Sequence, residues 1–146
     1  LISSYISKES CQNLEIINDD KIKTAVLKKS IFAVVKSGTV SLEVCKMNVP
    51  SIIIYKMNFI NFYLAKFLLN IKFANMINII NNREVIPELI QSECNADEIF
   101  KSVYYFLKKP DLIAKQKEEI KKTLKTLTSP SSSSEEASNI ILSYIS

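Results

Sequence analysis

The sequence lacks several residue types, and their absence excludes several classes of protein. It has no His, one Gly, four Pro and three Cys among 146 residues. Without His, imidazole catalysis and His-ligated metal sites are excluded. So little Gly and Pro excludes collagen-like and Pro/Gly-rich chains. An odd number of cysteines with no CxxC pair argues against a disulfide scaffold and a zinc site. We therefore expect Cys11, Cys45 and Cys94 to be reduced core thiols of a cytosolic protein, with neither metal nor cofactor.

What is present indicates one modest α/β domain. Hydrophobic residues make up 47 % of the chain, which is enough for a core, and the net charge of +4 points to no particular partner. Abundant Ile, Lys and Asn, which AT-rich codons encode, suggest genomic bias. Because that bias disfavours Gly and Arg, the single residue of each type is a candidate for a special role. Gly38 is a candidate for a position that needs backbone freedom, and Arg83 for one that needs a donor with two parallel N–H groups. Chance survival of both residues is the alternative.

Targeting signals are absent from the sequence as given. No basic segment precedes an apolar stretch, so no signal peptide is predicted. The uncharged stretch Phe73–Asn82 is much shorter than the roughly 20 residues of a membrane-spanning helix. The first residue is Leu1, not Met, and we expect an altered start or a piece of a longer protein. The cytosol, or the inner face of a membrane, is the expected location.

The first part of the chain alternates between strand and helix patterns. Leu14–Ile17, Ile31–Val35 and Ser51–Tyr55 are β-branched or apolar runs typical of buried strands. Lys21–Lys29 and Thr39–Met47 between them have helical spacing. This order predicts a parallel sheet with right-handed crossovers.

The second part is mostly helical by its pattern. Phe59–Leu69 predicts a helix buried between neighbours, with a membrane-facing or acyl-chain-facing helix as the alternative. Phe73–Asn78 predicts a short strand and Pro87–Gln91 a helical turn. Helices are predicted over Ala96–Lys108 and Asp111–Leu127. The alternating Lys and Glu of the latter indicate a solvated face, so no nucleic-acid binding is expected.

The end of the chain predicts a linker and a last helix. Residues 129–134 are Ser-rich, and Ser133 with Glu136 forms a plausible capping box. An apolar stripe follows and needs a surface to pack on; it consists of Ala137, Ile140, Ile141 and Tyr144. The expected division is therefore a domain over 1–128, a linker over 129–134 and a helix over 135–146.

Two segments carry candidate chemistry. In the first, Gly38 follows a buried strand and starts a helix, a place where α/β sheets bind ligands and where free N–H groups suit a phosphate. Glu43 lies on the same helix face as Thr39 and can accept two hydrogen bonds from a ribose. In the second, Arg83 can clamp a phosphate, and Glu88 with Gln91 can bind hydroxyls. An ordinary strand–helix turn and an ordinary polar loop are the alternatives.

The two segments resemble the lipid-A-disaccharide synthase family, inverting glycosyltransferases of the GT-B type. The family pattern SGT-x-x-LE matches Ser37–Glu43, and its P-hydrophobic-Y-[RK] run matches Pro50–Lys56. Its WLA[KR] helix matches Tyr63–Lys66, and its PN-x-x-x-GRE-[LV]-x-x-EL-[LIV]-Q pattern matches 77–91. The ordered set, with matching spacing, is far more specific than any single motif. The looser resemblance covers about Leu14 to the C-terminus.

The sequence departs from the family pattern at two positions. Ile77 replaces the Pro before Asn78, which puts in doubt the turn that aims Asn78. Asn82 replaces the Gly before Arg83. Because Asn adopts the left-handed conformation more readily than other non-Gly residues, this second change is tolerable.

The resemblance implies a fold, an activity and site residues. The fold would be an incomplete Rossmann-like parallel sheet, part of a GT-B C-terminal donor domain, with a helical C-terminal tail. The activity would transfer 2,3-diacylglucosamine from its UDP donor to 2,3-diacylglucosamine 1-phosphate in lipid A biosynthesis in Gram-negative bacteria. The implied roles are diphosphate contacts from Ser37, Gly38 and Thr39, ribose binding by Glu43, and help with donor or UDP binding from Asn78 and Arg83. No catalytic residue is assigned.

The same resemblance also implies what is missing. Family chains are more than twice as long, so the N-terminal acceptor domain and its general base are absent from this sequence. Three alternatives stay open: an inactive remnant, an assembly piece whose partner carries the other domain, and a donor-domain fragment of another GT-B enzyme, such as the peptidoglycan N-acetylglucosaminyltransferase. Without an acceptor domain to pack on, the tail stripe suggests a homodimer or a detached tail, and peripheral association with the inner membrane is compatible with acylated substrates.

Overall fold

The described part of the protein is built around a three-stranded parallel sheet. The computed structural model describes residues 13–58, 72–127, 138 and 140–144. The strands are β1 (Ala33–Lys36), β2 (Ser51–Tyr55) and β3 (Glu88–Ile90), in the order β1-β2-β3. Val35 pairs with Ile53 across β1 and β2, and Leu89 pairs with Ile54 across β2 and β3. The predicted α/β class with a partial Rossmann-like sheet is therefore confirmed.

Five α-helices connect and cover these strands in the described residues. Their bounds are α1 (Asp20–Lys29), α2 (Thr39–Lys46), α3 (Met76–Asn81), α4 (Ala96–Leu107) and α5 (Pro110–Leu127), and a 3₁₀ turn spans Gln91–Glu93. Side-chain caps fix three of the starts: Asp19 accepts from the N–H of Lys21, Asn75 from that of Ile77 and Asn95 from that of Glu98. The predicted helices Lys21–Lys29, Thr39–Met47, Ala96–Lys108 and Asp111–Leu127 agree with these bounds to within one or two residues.

The core lies between the sheet and helices α2, α3 and α5. Its buried members are Val35, Val44, Cys45, Val49, Ile53, Ile77, Ile86 and Ile120. Gln116 of α5 is also buried, and its amide binds both backbone groups of Ser51, accepting from the N–H at 2.8 Å and donating to the carbonyl at 3.0 Å. This pair of bonds anchors α5 at the amino end of β2.

Three predicted elements were wrong. Leu14–Ile17 forms no strand, and Leu14 and Ile16 are exposed, because no neighbouring strand pairs with this segment. Phe73–Asn78 is not a strand, since the side chain of Asn75 caps a helix that begins at Met76. Pro87–Gln91 is not a helical turn, because 88–90 pairs with β2 as a third strand. Pro87 directly precedes β3, where a missing N–H is tolerated.

The cysteines and the C-terminal tail fall into different environments. Cys45 is buried in the core as predicted, Cys94 is only half-buried, and Cys11 lies outside the described residues. The predicted helix Phe59–Leu69, the linker 129–134 and the Ser133–Glu136 capping box also lie outside them. Residues 138 and 140–144 are helical, with the side chains of Ile140, Ile141 and Tyr144 exposed. Among the described residues, no helix has the length and apolar character needed to cross a membrane.

Candidate functional site

Gly38 forms an open turn where β1 ends and α2 begins. It is the N-cap of α2, with φ 139° and ψ −161°. This region of backbone space is essentially restricted to glycine, because a side chain would strain it. A Cβ atom built at Gly38 would meet nothing within 4 Å, so the space beside the turn is open. The prediction that this Gly serves backbone freedom is confirmed.

The first turn of α2 offers backbone donors to that open space. No side chain caps this helix start. The first N–H groups of a helix have no intrahelical acceptor and lie at the positive end of its dipole, so they favour an anion. Thr39 is exposed at the same place, while Ser37 is half-buried beneath it. The three residues predicted to bind a diphosphate therefore lie together at the carboxyl edge of the sheet.

Hydrogen bonds hold the Gly38 turn against the loop that precedes α3. The hydroxyl of Ser37 donates to the carbonyl of Ala74 at 2.6 Å. The side-chain amide of Asn75 donates to the hydroxyl of Ser41 at 3.0 Å, and that hydroxyl in turn donates to the carbonyl of Gly38 at 2.6 Å. The position of the turn therefore depends on residues 74 and 75.

Glu88, the first residue of β3, fixes that loop. One carboxylate oxygen accepts the N–H of Ala74 at 2.6 Å, and the other accepts the N–H of Asn75 at 2.9 Å. The second oxygen also accepts from the side-chain amide of Asn78 at 2.7 Å. Both oxygens of Glu88 are thus engaged within the chain. Binding of a ligand hydroxyl by Glu88 stays a prediction, and in the structure its carboxylate holds the loop before α3 in place.

Asn78 is fully buried and its amide is satisfied by the chain itself. Its oxygen accepts the N–H groups of Val85 and Ile86 at 2.8 and 2.9 Å. Its nitrogen donates to the carbonyl of Ile86 at 2.7 Å and to Glu88. An amide offers two donors and two acceptor positions, and all four are in use. The structure therefore places Asn78 beneath the site, where it holds the loop between α3 and β3.

Arg83 lies near the amino ends of the strands, whereas Gly38 lies at their carboxyl ends. It follows the end of α3, and its guanidinium donates to Glu119 of α5. It lines a cavity of about 170 Å³ together with Gln116, the residue that binds the amino end of β2. The structure thus does not bring Arg83 to the Gly38 turn. Asn82, just before it, adopts the left-handed conformation (φ 48°, ψ 30°), as expected for its replacement of a family Gly.

Glu43 lies one helical turn beyond Thr39 and is half-exposed. Its carboxylate is 3.6 Å from the ammonium of Lys23 on α1. The hydrogen bond that the Lys23 ammonium donates to Asp20 raises the pKa of Lys23, and the negative charge of Glu43 is the next contribution. Exposed ion pairs contribute little stability, so a ligand hydroxyl can compete with Lys23 for this carboxylate.

A larger cavity, of about 380 Å³, lies at the carboxyl ends of β2 and β3. Its described lining residues are Lys56, Met57, Asn58, Gln91, Ser92, Cys94 and Asn95. Of this group, the sequence singled out only Gln91 as a candidate for binding hydroxyls. It did not bring Gln91 together with Lys56 and Met57, although these residues directly follow β3 and β2 and the ends of neighbouring parallel strands lie side by side. In the described ranges, no group of three or more Cys, Asp or Glu is placed to hold a metal ion.

The chain matches a known family over nearly its whole length. Residues 3–142 match the family described as lipid-A-disaccharide synthetase. Three similar relatives all have the name lipid-A-disaccharide synthase. The protein of Persephonella marina is 35% identical over 102 residues, that of Rickettsia bellii 41% over 98, and that of Sulfurihydrogenibium sp. 34% over 116.

These matches cover most of this chain and a smaller part of each relative. They cover 70%, 67% and 80% of the chain, respectively, and 27%, 26% and 30% of the relatives. The chain therefore spans less than a third of the length of the curated relatives that it matches. The resemblance drawn from the Gly38 and Asn78 motifs is confirmed: the chain belongs to the lipid-A-disaccharide synthase family of glycosyltransferases.

Proposed function

We propose that this chain forms the donor-binding part of a lipid-A-disaccharide synthase. The reaction transfers 2,3-diacylglucosamine from its UDP donor to 2,3-diacylglucosamine 1-phosphate and releases UDP. The observation that carries the proposal is the Gly38 turn: a glycine-specific backbone, open space beside it and an uncapped helix start at the carboxyl edge of a parallel sheet. Ligands of open α/β sheets bind at this edge.

In this proposal the turn binds the diphosphate and α2 binds the ribose. The N–H groups at Gly38 and Thr39 meet the phosphate oxygens, which the helix dipole also favours. Glu43 exchanges its exposed contact with Lys23 for the two ribose hydroxyls. Asn78 contributes indirectly, because it holds the loop beneath the site. Arg83 also contributes indirectly, because its ion pair with Glu119 links the end of α3 to α5. The direct donor contacts suggested for Asn78 and Arg83 are therefore not part of the proposal.

Transfer itself requires residues that this chain is not proposed to supply. An inverting transfer needs a base that takes the proton from the acceptor hydroxyl. We assign no such base here, because in GT-B enzymes it lies across the cleft, on the acceptor domain. We expect the purified 146-residue chain to bind UDP and to show no turnover above a control without enzyme. Turnover by this chain alone would contradict that expectation.

UDP binding measured by calorimetry tests the proposed site. Removal of one partner from a hydrogen bond to a charged group costs about 1–3 kcal/mol, so Glu43→Ala should weaken UDP about 5- to 150-fold. Glu118→Ala is the matched control, since Glu118 pairs with Lys122 on the exposed face of α5. Equal affinities of the wild type and Glu43→Ala would remove Glu43 from the site. The absence of UDP binding by the wild type would overturn the proposal.

An assembly piece without activity of its own is the second candidate, and the exposed apolar side chains of the tail favour it. Its tail would then pack on another chain, because Ile140, Ile141 and Tyr144 are exposed. The proposed arrangement is a dimer exchanged through the tail, at the inner face of the membrane that holds acylated substrates. Light scattering measures the oligomeric state, and hydrogen exchange measures whether the tail is protected. A monomer in which the amides of Ile140 and Ile141 resist exchange would contradict the exchanged dimer.

A further inference from the structure

The strand β1 is paired along one edge only in the described part of the chain. The N–H of Ala33 donates to the carbonyl of Pro50, directly before β2, at 2.9 Å. Successive backbone groups of a strand point to opposite edges, so the N–H and carbonyl groups of Val34 and Lys36 point away from β2. The described sheet has the order β1-β2-β3, with β1 at its margin. The backbone of β1 therefore offers a free edge to a further strand.

Exposed apolar side chains accompany this free edge. Val34, within β1, is 44% exposed, although the next residue, Val35, is buried in the core. Ile31, two residues before β1, is also exposed. The helix α1, which leads into β1, has no buried residue and exposes Ile22 and Val26 one turn apart. Because purely parallel sheets are normally covered on both faces, this side of the sheet is suited to a further packed unit.

The segment directly before α1 does not supply the neighbour of β1. Residues 13–19 form no strand, and Leu14 and Ile16 are exposed. The strands β1, β2 and β3 follow one another in sequence order, as in one half of a doubly wound sheet. In the common orders of such sheets, the strand beside this half is the first strand of the other half, and the strand that directly precedes the connecting helix lies farther away. A neighbour for β1 is therefore expected from a more distant part of a sequence.

The lengths of the relatives indicate where that strand comes from. The matches cover 27%, 26% and 30% of the three relatives, so most of each relative lies outside them. A polypeptide made of this uncovered part has ample length for the strands and helices of the other half of a sheet. It is the occupant that fits an edge strand whose partners are all parallel.

We propose that the free edge of β1 binds a parallel β-strand from the part of a lipid-A-disaccharide synthase that the matches leave uncovered. Backbone hydrogen bonds to Val34 and Lys36 supply the pairing, and the apolar side chains of Val34, Ile22 and Val26 are covered in the same contact. This inference rests on the second candidate function above, an assembly piece, and names the surface at which the piece docks.

Association of two separate polypeptides tests this edge. The partner is the Rickettsia bellii synthase from which the matched 98-residue segment and everything after it are deleted. It is co-expressed with the 146-residue chain, so that neither part has to fold alone. We expect a one-to-one complex, with its composition measured by light scattering and its affinity by calorimetry.

Two variants of Val34 separate the backbone from the side chain of the edge. Val34→Pro removes an N–H that β2 does not use, which an edge strand tolerates, and Val34→Lys places a charge in the contact. Ile79→Lys is the matched control, because Ile79 on α3 is 43% exposed. Both Val34 variants should weaken the complex about fivefold or more, while Ile79→Lys should bind as the wild type does. Urea unfolding checks that each variant is folded.

Hydrogen exchange followed by NMR gives a second readout on the unmodified chain. In the free chain, the amides of Val34 and Lys36 should exchange faster than that of Ala33, which donates to Pro50. In the complex, the first two should slow by about tenfold or more, because they enter a new ladder of hydrogen bonds. The amide of Ala33 should change much less.

Each other outcome contradicts the inference. A complex that ignores both Val34 variants and leaves the amides of Val34 and Lys36 unprotected would mean that the partner docks elsewhere. The absence of any complex would leave the edge without its proposed occupant. A dimer of this chain alone in which those two amides are protected would assign the edge to a second copy. UDP binding by the chain alone does not depend on these results, so the donor site is tested separately.

Discussion

The hydroxyl of Ser37 donates to the carbonyl of Ala74 at 2.6 Å, although the two residues are 37 positions apart in the chain. The N–H of Ala74 is in turn held by the carboxylate of Glu88. Three segments therefore meet in one chain of hydrogen bonds, from β3 through the loop before α3 to the Gly38 turn. The consequence is that the candidate phosphate site is positioned by a residue that lies outside it.

Replacement of Glu88 should therefore affect both stability and ligand affinity. Glu88→Ala leaves the N–H groups of Ala74 and Asn75 without their acceptor, and we expect a loss of about 2–4 kcal/mol in the free energy of unfolding. Glu88→Gln keeps the shape and one acceptor oxygen, so it should lose less, about 1–2 kcal/mol. Urea unfolding measures both, and UDP titration of the folded Glu88→Gln protein should show weakened binding.

Glu84→Gln is the control for the Glu88 variants. Within the described residues, the carboxylate of Glu84 accepts a single hydrogen bond, from the N–H of Glu88 at 3.2 Å and in an exposed position. We expect a change within about 0.5 kcal/mol, as for most surface substitutions. A Glu88→Gln protein with the stability and UDP affinity of Glu84→Gln would show that Glu88 does not position the turn.

Gly38→Ala should be destabilising through backbone strain and not through a clash. Nothing lies within 4 Å of an added Cβ, yet the φ of 139° is unfavourable for any side chain. The expected loss is about 1–3 kcal/mol in the free energy of unfolding. Chemical denaturation measures it, and an alanine variant as stable as the wild type would show that the turn relaxes to an ordinary conformation at no cost.

Asn82 offers a separate test of left-handed backbone. The backbone of Asn82 has φ 48° and ψ 30°. Asn82→Gly should leave the free energy of unfolding nearly unchanged, since Gly adopts this conformation freely. Asn82→Val should cost about 1–2 kcal/mol, because a β-branched side chain crowds the backbone there. Thermal unfolding of the pair checks this order. Equal midpoints for the two variants would mean that the end of α3 adapts to the residue present.

The burial of Cys45 leads us to expect a lower free energy of unfolding at alkaline pH. Burial raises the pKa of its thiol from 9.0 to about 11. The unfolded chain releases the thiol proton first, so the free energy of unfolding should fall between pH 9 and pH 11, by about 2–3 kcal/mol. Urea unfolding across this interval should show a smaller fall for Cys45→Ala. Cys94→Ala is the control and should behave as the wild type; identical pH profiles for all three would contradict the prediction.

The sequence by itself determined the elements whose signals are local. The apolar runs Ile31–Val35 and Ser51–Tyr55 predicted the positions of β1 and β2, because continuous apolar side chains favour buried strands. Burial on both faces is confirmed for β2, where Ile52 and Ile53 are both buried. It was wrong for β1, in which Val34 is exposed. Helical spacing predicted α1, α2, α4 and α5 for the same kind of reason. The single glycine located the turn at Gly38, since only that residue tolerates its backbone.

Tertiary structure alone decided the elements and contacts that depend on distant partners. The three residues of β3 form a strand because the free edge of β2 is available, and their own pattern equally suits a helical turn. Glu88 and Asn78 have polar side chains typical of ligand contacts, yet both are engaged within the chain. Both carboxylate oxygens of Glu88 accept hydrogen bonds from the loop before α3, and the amide of Asn78 binds backbone groups of the segment before β3. Arg83 follows α3 to the far edge of the sheet, because a helix between parallel strands returns the chain to the amino end. Asn78 and Arg83 belong to one sequence motif. The crossover connection between β2 and β3 therefore leaves Asn78 beneath the Gly38 turn and Arg83 near the amino ends of the strands.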